Sequence, residues 1–463
     1  MAGWNSTFNL LLTEFVQSAE EGRDSAQLEL LRSRLDTIEK NDLAALETLY
    51  KQIINLPISE SYQFVEPSDL KSIQESRPYN QPSFNLKLND DQLFDKMYGA
   101  WLGRCVGCAL GKPVEGFMGS HNGLASWQRQ KQYLTAISPD EWPIKDYFPQ
   151  HSPDEDETGK IWCYPSTREE IAYMETDDDI RYTVLGQIVL QKYGRDFTTW
   201  DVAKTWVEYL PYQSVCTAET QAYRNFVEIY DFQDGATEPR KFDWSSISLP
   251  LNPYREWIGA QIRVDSYGYG AAGNPVLAAE WAWRDARLSH VKNGIYGAMF
   301  CAAMIAASFA TDNLEEIVEA GLSQIPTTSR LYRELRDVID LCALRGNNFW
   351  NFEDVIEGIY ERLGHYNAVH TNNNAAICAA AVLLSGGDFE KGITFAVMAG
   401  LDTDCNGATV GSILGAITGA KNAPTHWTGR LNDTLNSAVI GYHPISIKEC
   451  ALRSTEIALK LRV

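Results

Sequence analysis

The chain has 463 residues, 44% hydrophobic and 22% charged, which excludes a disordered, collagen-like or low-complexity protein and leaves ample length for a buried core. Its 61 Asp and Glu against 40 Lys and Arg give a net charge of -21, which argues against broad binding to DNA, RNA or an anionic membrane. The opening stretch MAGWNSTFNLLLTEFV lacks the basic region and cleavage site of a secretory signal, and nine scattered cysteines suit a reducing compartment, so the expected location is cytoplasmic. Cys105 and Cys108 form a C-x-x-C without the second pair of a zinc site and read as structural thiols.

In chain order, LLLTEFVQSAEE, SAQLELLRSRLDTIEK and DLAALETLYKQIINL repeat apolar residues every three or four positions and predict helices, with Ser25 and Asn41 as N-caps of the second and third. From Ser59 to about Asp91 the chain turns polar and proline-punctuated, the pattern of a linker or an arm wrapped on the next unit. The expected organisation is therefore a helical extension and linker over 1–90 and a main domain over 91–463. In the latter, Ala-rich and Gly-punctuated helical segments dominate and strand patterns are nearly absent, so the predicted fold class is all-α. Two polar inserts, at 117–176 and 231–253, read as loops with short turns. The run Tyr296 to Ala310 falls short of the ~20 residues of a membrane span and reads as a buried helix.

Gly99, Gly103, Gly107 and Gly111 recur every four residues, as do Gly411, Gly415 and Gly419. That spacing lines one helix face with glycine, where another backbone can come close, although each interior glycine costs ~1 kcal/mol against alanine. Carboxylates stand at the ends of these segments. Lys112-Pro113-Val114-Glu115 follows the first, and Asp402-Thr403-Asp404-Cys405 precedes the second. Glu175-Thr176-Asp177-Asp178-Asp179 lies ahead of a further helical stretch. One acidic cap is ordinary at a helix N-terminus; consecutive carboxylates repel unless solvated or neutralised by a cation. Two readings are open at this point: solvated acidic caps, or an oxygen-ligated Mg²⁺ or Mn²⁺ site.

The segments GAWLGRCVGCALGKPVEG, ETDDDIRYT and GLDTDCNGATVGSILGAITG, in this order, resemble the three signature motifs of the ADP-ribosylglycohydrolase family, a likeness spanning about residues 92 to 425. The resemblance implies an all-helical orthogonal bundle with a binuclear Mg²⁺ or Mn²⁺ centre in a cleft that holds ADP-ribose. It carries the metal ligands onto Thr176, Asp177, Asp178, Asp402 and Asp404, and a glutamate beside the metals onto Glu115. It implies hydrolysis of a glycosidic bond to the distal ribose, with Glu115, Asp177 or Asp178 moving protons, on an ADP-ribosylated protein or an ADP-ribosyl small molecule. The stretch DSYGYGAAGNPVLAAEWAWRDARLSHVKNG resembles the family's phosphate loop and following helix, placing Gly270, Gly273 and Asn274 on the diphosphate and His290 near the ligand.

The chain departs from that pattern in three places: Cys405 stands where a hydroxyl ligand is usual, Cys108 where an Asp is usual, and Asp179 where a Thr is usual. A thiol suits a hard cation poorly; Cys108 reads as a packing change and Asp179 as a cap or further ligand. The alternatives to the hydrolase are a catalytically weakened ADP-ribose-binding or structural member of the fold, and a hydrolase of another ribosyl metabolite.

Overall fold

The computed structural model describes residues 6–230 and 242–462. The fold is all-α: among the described residues, the named strands are the two-residue segments Thr434–Leu435 and Ile445–Ser446, paired antiparallel. None of the described helices is long and apolar enough to cross a membrane.

The fold is organised on two glycine helices, Asp90–Gly111 and Thr403–Thr418. An Asn89/Gln92 capping box starts the first, and Gly419, at φ +73°, ends the second. The two lie antiparallel with their glycine faces together. A Cβ built on Gly99, Gly103 or Gly107 would sit 2.2, 2.0 or 1.9 Å from the carbonyl oxygen of Gly415, Gly411 or Gly407. Any side chain on this seam would force the helices apart, so the helix propensity given up at each glycine sets the helix separation.

Other helices wrap this pair. Tyr296–Ala310 falls almost wholly within the helix Lys292–Ser308, buried from Asn293 onward, and Trp281 and Tyr296 are core residues. The Asp178–Tyr193 helix packs beside the seam through Arg104, whose guanidinium donates to Thr183 Oγ1 at 2.7 Å.

Near the N-terminus, helices Thr7–Glu20, Ser25–Leu35 and Leu43–Ile54 share a small apolar core of their own, including Leu11, Phe15, Leu31, Leu46 and Ile53. Their caps differ from expectation by one residue. Asp24 accepts from Gln27 N at 2.9 Å and Asp42 from Ala45 N at 3.0 Å, where Ser25 and Asn41 were expected. A carboxylate is the better acceptor at the positive end of a helix. The following segment runs as an arm over the main body: Val65 N donates to Thr328 O (3.1 Å), Trp283 Nε1 to Ser68 O (2.9 Å) and Thr327 N to Ser76 O (3.0 Å).

The insert at 117–176 is more ordered than its polar composition predicts. It holds the helix Ser126–Thr135, which buries Trp127, Tyr133 and Leu134 on one face. Of the second insert, 231–241 lies outside the described residues; after it, Trp244 and Ile247 are buried.

Candidate metal centre

The antiparallel seam brings the C-terminal end of the first glycine helix against the N-terminus of the second, where Thr403 Oγ1 donates to Gly111 O at 2.8 Å. Asp402, the N-cap of the second helix, is held through its own backbone. Its N–H donates to Asn374 Oδ1 (3.3 Å), which also accepts from Asn406 Nδ2 (2.8 Å). Asp177 caps the Asp178–Tyr193 helix, accepting from Asp179 N at 3.0 Å. Its other carboxylate oxygen pairs with the buried ammonium of Lys112, which also lies 5.0 Å from the Trp162 ring centre. Thr176 Oγ1 accepts from Arg181 at 3.2 Å.

Three chain segments thus deliver their acidic groups to one place. Single donor atoms of Cys108, Asp177, Asp179 and Asp404 lie within 4.8 Å of one another, and so do those of Asp402, Asp404 and Cys405; Asp404 belongs to both groups. Arg104 reaches Asp179 from behind at 3.3 Å and Asp265 at 2.8 Å. Even so, Asp179 Oδ2, Asp402 Oδ1 and Asp404 Oδ1 have no hydrogen-bond partner, on residues no more than 4% exposed. A buried anionic oxygen without a donor is strongly unfavourable, and a cation in each donor group, one with Asp179 and Asp404 and one with Asp402 and Asp404, would relieve it. The donor set and these orphaned oxygens fit divalent metal.

The electrostatics agree with a shortage of positive charge. Burial, followed by repulsion from Asp177, lifts the Asp404 carboxyl to about 7 and that of Asp178 to about 6. Burial and then the Asp404 charge push Glu115 and Asp402 well above the usual carboxylate range. Asp177 goes the other way: burial opposes its charge, but the Lys112 ammonium overrides that and holds the carboxyl well below its usual range. Glu115 sits on the short helical turn Lys112–Phe117 and is half-buried. A cavity of about 300 Å³ adjoins the cluster, lined by Met118, Ser126, Tyr360, Tyr366, Asn373 and Leu401.

Thr176, Asp177, Asp178, Asp402, Asp404 and Glu115 therefore converge, but the expected phosphate loop does not join them. Gly270 is buried against Leu190, Trp281 and Ile457; Gly273, at φ +79°, abuts Leu86; Asn274 caps the helix Pro275–Ala286 by accepting from Leu277 N at 3.1 Å. All three line a groove of about 680 Å³ that also includes Leu93 and Arg462. Leu93 and Gly111 are at opposite ends of the first glycine helix, about five turns or ~27 Å apart. The glycines there make room for apolar neighbours and a tight turn instead of cradling phosphate beside the carboxylates. His290 is fully buried, with Nδ1 2.8 Å from Ser289 Oγ and 3.9 Å from Glu219, and burial pushes its imidazole well below the usual range.

The sequence pattern makes Cys108 a packing residue; the structure sets it among the carboxylates, one helical turn before Lys112. Lys112, Arg104 and Asn374 were not anticipated. The first two lie beside or within the first glycine motif, the only sequence signal that pointed to them. Asn374, in the stretch TNNNAA, gave none.

Comparison with known proteins places these features in context. A family model described as ADP-ribosylglycohydrolase matches residues 89–451. A protein of Archaeoglobus fulgidus, named only as uncharacterized, is 25% identical over 343 residues, which is 73% of this chain and 92% of its own length. A solved structure titled ADP-ribosylglycohydrolase-related protein complex is similar with a TM-score of 0.47 and 18% identity, over 80% of this chain and 99% of that one.

Proposed function

The chain belongs to the ADP-ribosylglycohydrolase family, and from that premise we propose that its carboxylate centre hydrolyses a glycosidic bond to ADP-ribose in a metal-dependent reaction. The substrate is an ADP-ribosylated protein side chain or an ADP-ribosyl small molecule, and the product is free ADP-ribose. The observation that carries this reading is the set of buried, unpartnered oxygens on Asp179, Asp402 and Asp404 at the joined ends of the glycine helices.

Thr176, Asp177, Asp178, Asp402 and Asp404 would hold two divalent cations, Mg²⁺ or Mn²⁺ in the family pattern. Bound there, the metals supply charge for orienting ribose hydroxyls and lower the pKa of a water nucleophile. The chain's own groups do the rest. Lys112 keeps Asp177 ionised and fixed. Asn374 fixes the backbone of Asp402, and so its register against Asp404. Glu115 lies outside the ligand set, and burial, with the Asp404 charge, raises its carboxyl well above the usual carboxylate range, the direction that suits a group handing a proton to the departing group. The surrounding carboxylates favour the positive charge that develops on the ribose ring in an oxocarbenium-like transition state. The adjoining cavity of about 300 Å³ gives part of the substrate room beside them.

The test is to incubate the protein with peptides ADP-ribosylated on arginine or serine and with ADP-ribosyl small molecules, in Mg²⁺, Mn²⁺ or EDTA, and to separate the products. Release of ADP-ribose that EDTA stops and Asp402→Asn abolishes supports the reading. Full activity of Asp402→Asn with unchanged metal affinity overturns the metal model. Release of a different sugar transfers the activity to another ribosyl metabolite, and binding of ADP-ribose without any turnover leaves a binding protein.

A further inference from the structure

The two donor groups at the centre share more than Asp404. Each contains one sulfur: Cys108 in the group with Asp177, Asp179 and Asp404, and Cys405 in the group with Asp402 and Asp404. Atoms bound to a common metal at 2.0–2.3 Å lie no more than about 4.6 Å apart, so a mutual spacing within 4.8 Å is close to what shared coordination requires. A buried cysteine ordinarily behaves as a small apolar side chain among other apolar ones. Here both thiols are buried among carboxylates, and three carboxylate oxygens in those groups are buried and have no partner.

We propose that each half of this centre binds its cation through one cysteine sulfur as well as carboxylate oxygen, and that the chain therefore takes a borderline divalent ion of the Zn²⁺, Co²⁺ or Fe²⁺ class in preference to Mg²⁺. The proposal rests on the reading of this cluster as a metal centre and concerns which ion fills it. Sulfur bonds weakly to a hard cation such as Mg²⁺, whereas mixed sulfur and carboxylate donors suit the later first-row metals. Each thiol gives up its proton to water as the metal–sulfur bond forms, with no change in oxidation state and no oxidant required. The two thiolates then add two negative charges to a centre gaining two divalent cations. Lys112 and Arg104 already offset Asp177 and Asp179.

The experiment uses the full-length protein, stripped with EDTA and kept under reductant, and titrates Co²⁺ while recording the near-ultraviolet sulfur-to-cobalt charge-transfer band. The wild type is expected to develop the band, Cys108→Ser and Cys405→Ser about half of it each, and the double variant none. Each single variant should also lose at least about tenfold in Co²⁺ affinity, the loss that even an outer partner of a ligand can cause. A large excess of Mg²⁺ should leave the wild-type band in place. Three results overturn the proposal: no Co²⁺ bound in equilibrium dialysis, Co²⁺ bound without the band, or a band that survives in the double variant. Should the serine variants fail to fold by circular dichroism, X-ray absorption of the zinc-loaded wild type decides, because a sulfur shell at ~2.3 Å is required. ADP-ribose release assayed on the same samples separates this proposal from the hydrolase reading. A band without release keeps the sulfur ligands and rejects the hydrolase; release in Mg²⁺ from a protein that shows no band does the reverse.

Discussion

Between the N-terminal helices and the main body, Glu14 and Glu21 share the guanidinium of Arg255 at 2.7 Å, while Glu66 and Glu256 share that of Arg330 at 2.9 and 2.7 Å. At the joined ends of the glycine helices, Asp402 and Asp404 are as deeply buried but have no such partner. The difference is visible in their acidity. Glu21 is lowered to about 2, because Arg255 and Lys292 outweigh the burial that opposes its charge, whereas burial and Asp177 raise Asp404 to about 7. The first network brings its own cations and serves the architecture. The second has Lys112 and Arg104 against Asp177 and Asp179 but no cation paired with Asp402 or Asp404 among the described residues, the kind of perturbed cluster that marks candidate sites.

The sharpest way to test the contrast is to neutralise one member of each. Asp404→Asn should lower turnover by about 10³-fold or more, equivalent to ~4 kcal/mol of barrier, and leave the metal-free fold as stable as before or more so, since it removes repulsion among buried carboxylates. Denaturation in EDTA alongside the activity assay measures both. Arg330→Leu should do the opposite kind of damage, destabilising the protein by ~3–5 kcal/mol in urea because two buried glutamates lose their shared partner. A loss below ~1 kcal/mol there would break the comparison.

Metal addition is the next largest effect: a divalent ion at about 100 times its Kd should stabilise the wild type by ~2.7 kcal/mol, shown as a rise in melting temperature that EDTA reverses and Asp402→Asn abolishes. The pH dependence follows with a definite sign. Asp404 and Asp178 have raised pKa values in the folded state, so their stabilising contribution is full below the ordinary carboxylate range and is lost as pH rises through about 6 to 7. In EDTA the urea midpoint of the wild type should therefore fall relative to Asp404→Asn between pH 4.5 and 7.5. Glu21 contributes the other way, losing its stabilisation only as pH falls toward about 2. The smallest expected effect is at Glu20, which burial and Glu256 lift to about 8. At pH 4, where its carboxyl is protonated in the folded and largely in the unfolded chain, Glu20→Gln should change stability by no more than ~0.5 kcal/mol, and its gain on the wild type should build as pH rises from about 4.5 to 8 and level off above.

Much of this was legible before any coordinates. Four-residue glycine spacing announced two helix faces made for close approach, and carboxylates clustered at the ends of those segments announced where charge would concentrate. Periodicity reports which residues share a face, but not which distant face they meet. That is why Cys108 read as packing, and why Asn374 carried no signal until the seam had formed. The glycines at 270 and 273 failed in the opposite direction. A glycine-rich stretch ahead of a helix is equally suited to phosphate and to a tight turn under bulky neighbours, and only the five helical turns separating it from the carboxylates decide between them. The caps at Asp24 and Asp42 show the usual one-residue uncertainty at helix starts, where several polar side chains compete for the same backbone N–H.

The glycine seam also governs when the centre can exist. Gly111 and Thr403 touch across 292 residues of sequence, so a ribosome adding about 5–20 residues per second exposes the first glycine face for about 15–60 seconds before its partner emerges. For most of that interval, once residue 178 is made, the chain holds Asp177 and Asp178 but lacks Asp402 and Asp404. The cluster can therefore assemble only late in synthesis, and a chain cut short just before residue 402 retains most of the helices but lacks Asp402 and Asp404.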